Sequence, residues 1–351
     1  MNLEITMLKY INETSKMMKD IIDNRKTNYN LSLDYLKNKK IDHIELIGSG
    51  TSCNAELSVI GFMEKVLNLR VNYSYAFPFK FNRKCLDSNT LVIAISQSGE
   101  SKSTIEAIKY AKSKGAHCFS FTERCEDSLS KIVDVSLALN CGIEDIGAKT
   151  KGYQASTLSL ILFGLEYALL IGSLDGKRYD NYIERIKKVV NNLDNIINKS
   201  INWYELFSDE FKRANRIIIL GYDSNYGNVL EGKLKLEETV RYGIEAYEQE
   251  EFMHGIYNAI DEKTYIIYLA QESEHKIKVN RLIELLKPYT DKQYVIGNGF
   301  DFDFGFIDDE YFSIFEYIIP IQCLAYYLSR DLNINITKPK IANFHKNIGS
   351  K

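Results

Sequence analysis

The run of five apolar residues Leu91–Ile95 constrains the fold more than any other stretch of this chain. Continuous rather than alternating hydrophobicity over a strand's length predicts a strand buried on both faces, as in a parallel sheet covered by helices. Ser96-Gln97-Ser98-Gly99-Glu100-Ser101 follows, and a helical pattern begins at about Ser101. A strand that ends in hydroxyls and a glycine and runs into a helix faces the unpaired N–H groups and positive dipole end of that helix. Serine hydroxyls add further donors for an anion held there. No Lys or Arg falls within Ser96–Ser101, so the turn suits a compact phosphate ester held by neutral donors. A plain βα turn with a serine N-cap has the same sequence, and other segments must decide between the two.

The neighbouring segments repeat the pattern. Residues 3–40 predict two helices, with Leu8, Ile11, Met17, Met18 and Ile21 as a loose apolar stripe. Strands are predicted at 42–47, 71–75, 91–95, 117–121 and 133–139, with helices between them and a long helix at Gln154–Leu170. Gly172–Asp180 is the best boundary, and two polar helices are expected at about 181–199 and 202–213. The alternation then restarts: a strand at Arg216–Leu220, a helix at Asn228–Arg241, strands at 265–270 and 293–296 around a helix at Ile277–Leu286, and a last helix at Tyr317–Leu332. Strand–glycine–helix openings near residues 44 and 216 predict two copies of one doubly wound parallel-sheet α/β domain. The expected division is residues 1–40 as N-terminal helices, 41–173 and 181–332 as the two domains, and 333–351 as a tail.

Composition narrows the class. A net charge of -3 over 351 residues gives no electrostatic ground for binding nucleic acid or an acidic membrane. No apolar run approaches the ~20 residues of a membrane span. The N-terminus MNLEITMLKYINETSKMMKD lacks a signal peptide's apolar core. The six cysteines (53, 85, 118, 125, 141 and 323) contain no CxxC pair, and the five histidines show no zinc-type spacing. Reduced thiols and a cytoplasmic location are therefore expected.

Gly48-Ser-Gly50-Thr51-Ser52-Cys53 carries only two glycines of the dinucleotide fingerprint, and no acidic residue ends the next strand. It is better read as a second set of donors for the phosphate of Ser96–Ser101, since both loops end parallel strands. In Glu231–Glu238, Lys235 and Glu238 share a helix face at i, i+3; taken alone, that spacing fits a solvated surface. Glu245–Gly255 puts four glutamates in seven positions ahead of His254. A carboxylate and a histidine in one cleft beside a phosphate loop are what sugar-phosphate proton transfer needs: one moves a proton between carbons, the other serves the ring oxygen.

These motifs together resemble the double sugar-isomerase (SIS) domain proteins, which include the isomerase half of glucosamine-6-phosphate synthase and the fructosamine-6-phosphate deglycases. The resemblance covers nearly the whole chain. It is carried by GSGTS at 48–52, ISQSGES at 95–101, LEGKLKLEE at 230–238, EAYEQEEFMHG at 245–255 and IIPIQCLAYYLS at 318–329. It implies two tandem flavodoxin-like domains. Ser52, Ser96, Gln97, Ser98 and Ser101 match the phosphate-binding positions, with Thr51 beside them. Glu238 matches the base that shuttles a proton between C1 and C2, and Lys235 the lysine next to it. His254 matches the ring-opening histidine, which in the family reaches across a dimer. Gly147–Lys151 resembles the substrate-contacting loop, with Thr150 in it. The tail Lys338-Pro339-Lys340-Ile-Ala-Asn-Phe-His345-Lys346 makes Lys346 the counterpart of a catalytic lysine, with a longer spacing from Pro339 that leaves His345 open as well.

The resemblance implies a sugar-phosphate substrate, a homodimer or higher homo-oligomer with a shared site, and no metal or organic cofactor. With no cysteine before Cys53, the expectation is an isomerase unit without the synthase's glutaminase. Glu237–Tyr242 and Glu250–Gly255 resemble the deglycase branch more than the synthase. The expected function is C1/C2 proton transfer on an amino-linked sugar 6-phosphate, by a deglycase or an amino-sugar deaminase/isomerase. Two alternatives stand beside it: a synthase-like aminating isomerase fed by ammonia or a partner, and a non-catalytic sugar-phosphate sensor.

Overall fold

The computed structural model describes residues 7–350. Two compact units emerge. The first comprises Lys16–Glu144, Lys151–Glu184 and the chain from Ile341 onward; the second comprises Asp145–Thr150, Arg185–Lys340 and the chain up to Ser15.

Along the chain the elements begin with α1 (Met7–Asp23), α2 (Arg25–Leu36), β1 (His43–Gly48), α3 (Thr51–Leu67), β2 (Arg70–Tyr75), α4 (Ala76–Asn82) and β3 (Thr90–Ile95). There follow α5 (Lys102–Ser113), β4 (His117–Thr122), β5 (Val135–Ala138), α6 (Lys151–Ile171) and α7 (Gly176–Phe211). The first domain holds a five-stranded sheet in the order β2-β1-β3-β4-β5, parallel throughout. All six residues of β3 are buried, as a strand covered on both faces requires. Val92 and Ala94 pack with Ile47, Phe79, Ile108 and Ala111 on one face. On the other, Phe119 and Phe121 of β4 meet Phe163 of α6, with ring centroids 6.2 Å apart in each pair.

The second domain continues with β6 (Ile217–Gly221), α8 (Tyr226–Val240), β7 (Ile244–Glu248), α9 (Gln249–Phe252), β8 (Tyr265–Leu269), α10 (Lys276–Leu286), β9 (Gln293–Ile296) and α11 (Ile314–Asp331). Its sheet runs β7-β6-β8-β9, again parallel. This is the first domain's order without the fifth strand, so the two doubly wound copies expected from the strand–glycine–helix openings are present. Ile218, Leu220, Ile266 and Tyr268 face Val279, Leu282 and Leu286 of α10. On the opposite face α8 lies tight against α11: a Cβ on Gly232 would meet Ile321 Cδ1 at 2.8 Å. The final helix, α12 (Phe344–Ile348), belongs to the first domain.

Two local expectations are corrected. The two polar helices after residue 180 are a single 36-residue helix, α7. Ser200, near the expected break, turns its hydroxyl back onto the Ile196 carbonyl at 2.7 Å and the helix continues. The glutamate-rich run, for which no element is predicted above, is strand β7 followed by the short α9. And α6 is long and apolar enough to cross a membrane by length and composition, although 83% of that stretch is buried inside the domain. Its interspersed Gln154, Ser156, Thr157 and Ser159 hid the run; it is a core helix, and it makes more contact with α3 than any other helix does.

Candidate active site

In an open doubly wound sheet, ligands bind beyond the carboxyl ends of the strands where the strand order reverses. In the first domain that point lies between β1 and β3, and the two suspected turns follow those two strands.

After β1 the chain turns at Gly48, Ser49 and Gly50 and enters α3 at Thr51. Gly50 has a positive φ of 58°. At Gly48 there is no room for a side chain: an added Cβ would stand 2.6 Å from Glu56 Oε1 and 2.9 Å from Ser52 Cβ. The glycine therefore lets the helix start close against the strand end. Thr51 and Ser52 are half-buried in the first turn of α3.

After β3 the turn is fastened by its backbone. Ser96 N–H donates to Phe121 O at 3.1 Å, Gly99 N–H to Ser96 O at 2.9 Å, and Gln97 O accepts from Glu123 N–H at 3.0 Å. Gly99 is at φ +67°, and a Cβ there would lie 1.9 Å from Asp127 Cγ. Asp127 in turn accepts from the N–H and hydroxyl of Ser130 at 2.9 and 2.8 Å. Ser101 is the N-cap of α5, yet its hydroxyl makes no capping bond and pairs instead with Ser103 Oγ at 3.1 Å. Ser98 is exposed, Ser96 is buried, and Gln97 lies against the first turn of α6, where a Cβ on Gly152 would be 2.6 Å from Gln97 Oε1. Buried Glu144 caps that helix, accepting from Lys151 and Gly152 N–H at 3.3 and 3.1 Å. Gln97 and Ser98 border a cavity of about 470 Å³. Thr104, in the first turn of α5, was missed by sequence reasoning; its buried hydroxyl has no partner.

The tail meets this same helix. Lys102 donates from its backbone N–H to Ser350 O at 3.4 Å and from Nζ to Gly349 O at 2.9 Å. Lys346 and His345 lie on α12, both exposed, with His345 Nδ1 at 2.9 Å from Ser350 Oγ. Thr150 is fully buried, and its carbonyl accepts from Gln322 Nε2 at 3.5 Å within the second domain.

In the second domain, β6 ends at Gly221, where a Cβ would meet Val229 Cγ2 at 2.6 Å, so α8 also starts close to its strand. Lys235 is not on a solvated face: its side chain is 1% exposed. Its Nζ donates to Glu238 Oε2 at 2.6 Å and stands 3.4 Å from Glu231 Oε1. Glu231 is fully buried and Glu238 about one-third exposed. The arrangement is a buried ammonium with one carboxylate behind it and a second presented to solvent. Glu231, one helical turn before Lys235, was in the quoted motif but not among the expected site residues; its i, i+4 spacing from the lysine was the available signal. Three of the four glutamates before His254 are occupied structurally. Glu245 pairs with Arg216 at 2.7 Å, Glu248 caps α9 through Glu250 and Glu251 N–H, and Glu250 pairs with Lys278. His254 follows α9 and is exposed.

Two doubly wound domains, one with hydroxyl-rich turns at its switch point and one with a lysine-held carboxylate after its first strand, make this a tandem α/β protein. The chain belongs to the SIS-domain family, whose model matches residues 35–165 and 210–297. It is 32% identical to a protein from Clostridium difficile 630 provisionally described as a phosphosugar isomerase. That structure superposes with a TM-score of 0.92 over 99% of both chains. A provisionally described sugar-binding protein from Salmonella typhimurium LT2 is 30% identical, with a TM-score of 0.83 over 92% of this chain and 99% of that one. The glutamine–fructose-6-phosphate aminotransferase (isomerizing) of Clostridium tetani is 28% identical over 352 residues, 95% of this chain and 57% of that protein. The chain thus spans a little over half the length of the curated relatives it matches.

Proposed function

We propose that this protein is a phosphosugar isomerase-type enzyme that acts on an amino-linked sugar 6-phosphate by proton transfer between C1 and C2. Thr51, Ser52, Ser96, Gln97, Ser98 and Ser101 hold the phosphate. His254, supplied by the second subunit of a homodimer, assists ring opening. Glu238 takes the proton from C1, leaving an enaminol, and delivers it to C2, so that the C1–N bond becomes an imine. Water adds at C1 and the amine leaves, giving glucose 6-phosphate and a free amine. Lys346 of the tail is the further catalytic group and Thr150 lies in the substrate loop.

The observation that carries this reading is the 2.6 Å contact between the buried ammonium of Lys235 and the part-exposed carboxylate of Glu238. A carboxylate fixed in orientation and left open on its outer side is equipped to accept a proton from carbon. A surface ion pair between two mobile side chains would not have the lysine at 1% exposure.

A second reading is a sugar-phosphate sensor without turnover, and the Salmonella relative's description names sugar binding alone. A substrate panel separates the two: fructosamine 6-phosphates, glucosamine 6-phosphate, and fructose 6-phosphate with ammonia, each assayed with purified protein. Turnover of a fructosamine 6-phosphate is the expected result. Turnover only of fructose 6-phosphate with ammonia points to a synthase-like aminating isomerase. If nothing turns over while the sugar phosphates still raise the melting temperature, the sensor reading replaces the enzyme.

A further inference from the structure

Beneath the first turn lies a carboxyl group with no part in the chemistry above. Glu56, in the second turn of α3, is 0% exposed, and neither carboxyl oxygen has a hydrogen-bond partner. Its Oε1 occupies the space a side chain on Gly48 would need, 2.6 Å from that Cβ position. The carboxyl group therefore fills the side-chain space over Gly48, where β1 hands over to the Gly48–Ser52 turn. A carboxylate in that setting would have neither water nor a counter-charge, so the group is a neutral acid. Burial raises its pKa well above the usual carboxylate range.

Among the described residues no cation offsets that burial. On the same helix lies the buried Cys53 thiol, whose pKa burial pushes up. The end of β2 brings Tyr75, raised by burial and then by Cys53. β1 brings Gly48. α6 brings Tyr153, whose hydroxyl is 3.0 Å from Ser58 Oγ, while its Lys151 stands near Gly142.

We propose that the protonated carboxyl of Glu56 is a positioning group for the phosphate turn, and that its ionisation drives it out from under Gly48 and disables the turn. The inference rests on the reading that Gly48–Ser52 helps hold the phosphate. Glu56 acts through the turn and does not touch the ligand. Its charged form would also sit within two helical turns of the anion's donors and oppose binding by repulsion.

Inorganic phosphate is the probe, titrated calorimetrically into the full chain over an interval that starts at neutral pH and runs alkaline, since burial places the ionisation of Glu56 above the usual carboxylate range. For the parent protein the Kd is expected to rise at least ~10-fold across the interval. For Glu56→Gln, which cannot ionise, it should change less than ~2-fold. Parallel profiles for the two proteins overturn the role of Glu56 and leave the phosphate reading standing. Absence of binding by either protein at every pH removes the phosphate reading and this inference together. Should the variant not fold, infrared spectroscopy of the parent decides: a protonated-carboxyl C=O band must persist above neutral pH and fade over the range in which phosphate affinity falls. A flat Kd in the parent contradicts the proposal in either case.

Discussion

Lys235 Nζ lies 2.6 Å from Glu238 Oε2 and 3.4 Å from Glu231 Oε1, so one buried ammonium holds two carboxylates along a single face of α8. The burial makes the arrangement sensitive to either partner's loss. In Lys235→Met the fully buried Glu231 loses its counter-charge. Removing one partner of a buried pair destabilises by roughly 3–5 kcal/mol. Urea unfolding should show a loss of that size, together with loss of turnover; a loss below about 1 kcal/mol, the range of surface pairs, would mean that Glu231 is not held as a charge by Lys235.

At the phosphate turn, Gly99→Ala is expected to be far worse than an ordinary glycine-to-alanine change. The left-handed backbone alone costs an alanine about 1–2 kcal/mol. Asp127 Cγ, 1.9 Å from the new Cβ, must also move and release Ser130. Thermal melts and phosphate titration should therefore decline together. Retention of phosphate affinity in a well-folded variant would remove this turn from the binding site.

Glu316 of α11 contributes a pH-dependent share of the second domain's stability. It accepts from Ile307 N–H at 3.0 Å, Asp308 N–H at 3.2 Å and Asn192 Nδ2 at 2.8 Å. Burial outweighs those bonds and raises its pKa from 4.5 to about 7. Because the folded-state value is raised, the folded chain binds this proton more tightly than the unfolded chain does. The resulting stability is complete below about pH 4.5 and is lost as pH rises to about 7. The decline from this one group is on the order of 3 kcal/mol. Denaturant midpoints of the parent should fall over that window, and those of Glu316→Gln should fall less; equal slopes would assign the pH dependence elsewhere.

A shared site makes a stoichiometric prediction. Glu238→Gln and His254→Asn homodimers should each be inactive. Random exchange of subunits forms mixed dimers with one intact site each, so about one quarter of parental activity should return. No recovery after exchange is verified by mass spectrometry would place both residues in one subunit's site.

Much of the architecture was legible because burial on both faces writes itself into continuous hydrophobicity, as at Leu91–Ile95. Strand β7, Ile244–Glu248, was not legible. Four of its five side chains are only half-buried at the sheet edge, so polar residues alternate there without an apolar run. The unbroken α7 was hidden because a serine near its middle suggested a boundary that its own back-bonded hydroxyl removes. At the candidate site, the serines of Ser96–Ser101 announced the turn, but the burial of Lys235 did not show: i, i+3 Lys–Glu spacing is the same on a wet face and a dry one. Glu56 was invisible for a related reason, since a glutamate in a helical pattern is ordinarily exposed.

The central claim is that Glu238 moves a proton between two carbons of a sugar phosphate. The most direct test is turnover of a fructosamine 6-phosphate in D2O, with deuterium at C2 of the product read by NMR, for the parent and for Glu238→Gln. In the parent, deuterium should enter C2 only in the turnovers in which the Glu238 carboxyl proton exchanges with solvent before it is returned, and direct transfer keeps the C1 proton. The variant should keep its affinity for phosphate while losing turnover by at least ~100-fold, the scale of a positioned general base. A variant that turns over within a few-fold of the parent, with the same deuterium content in its product, would contradict the assignment.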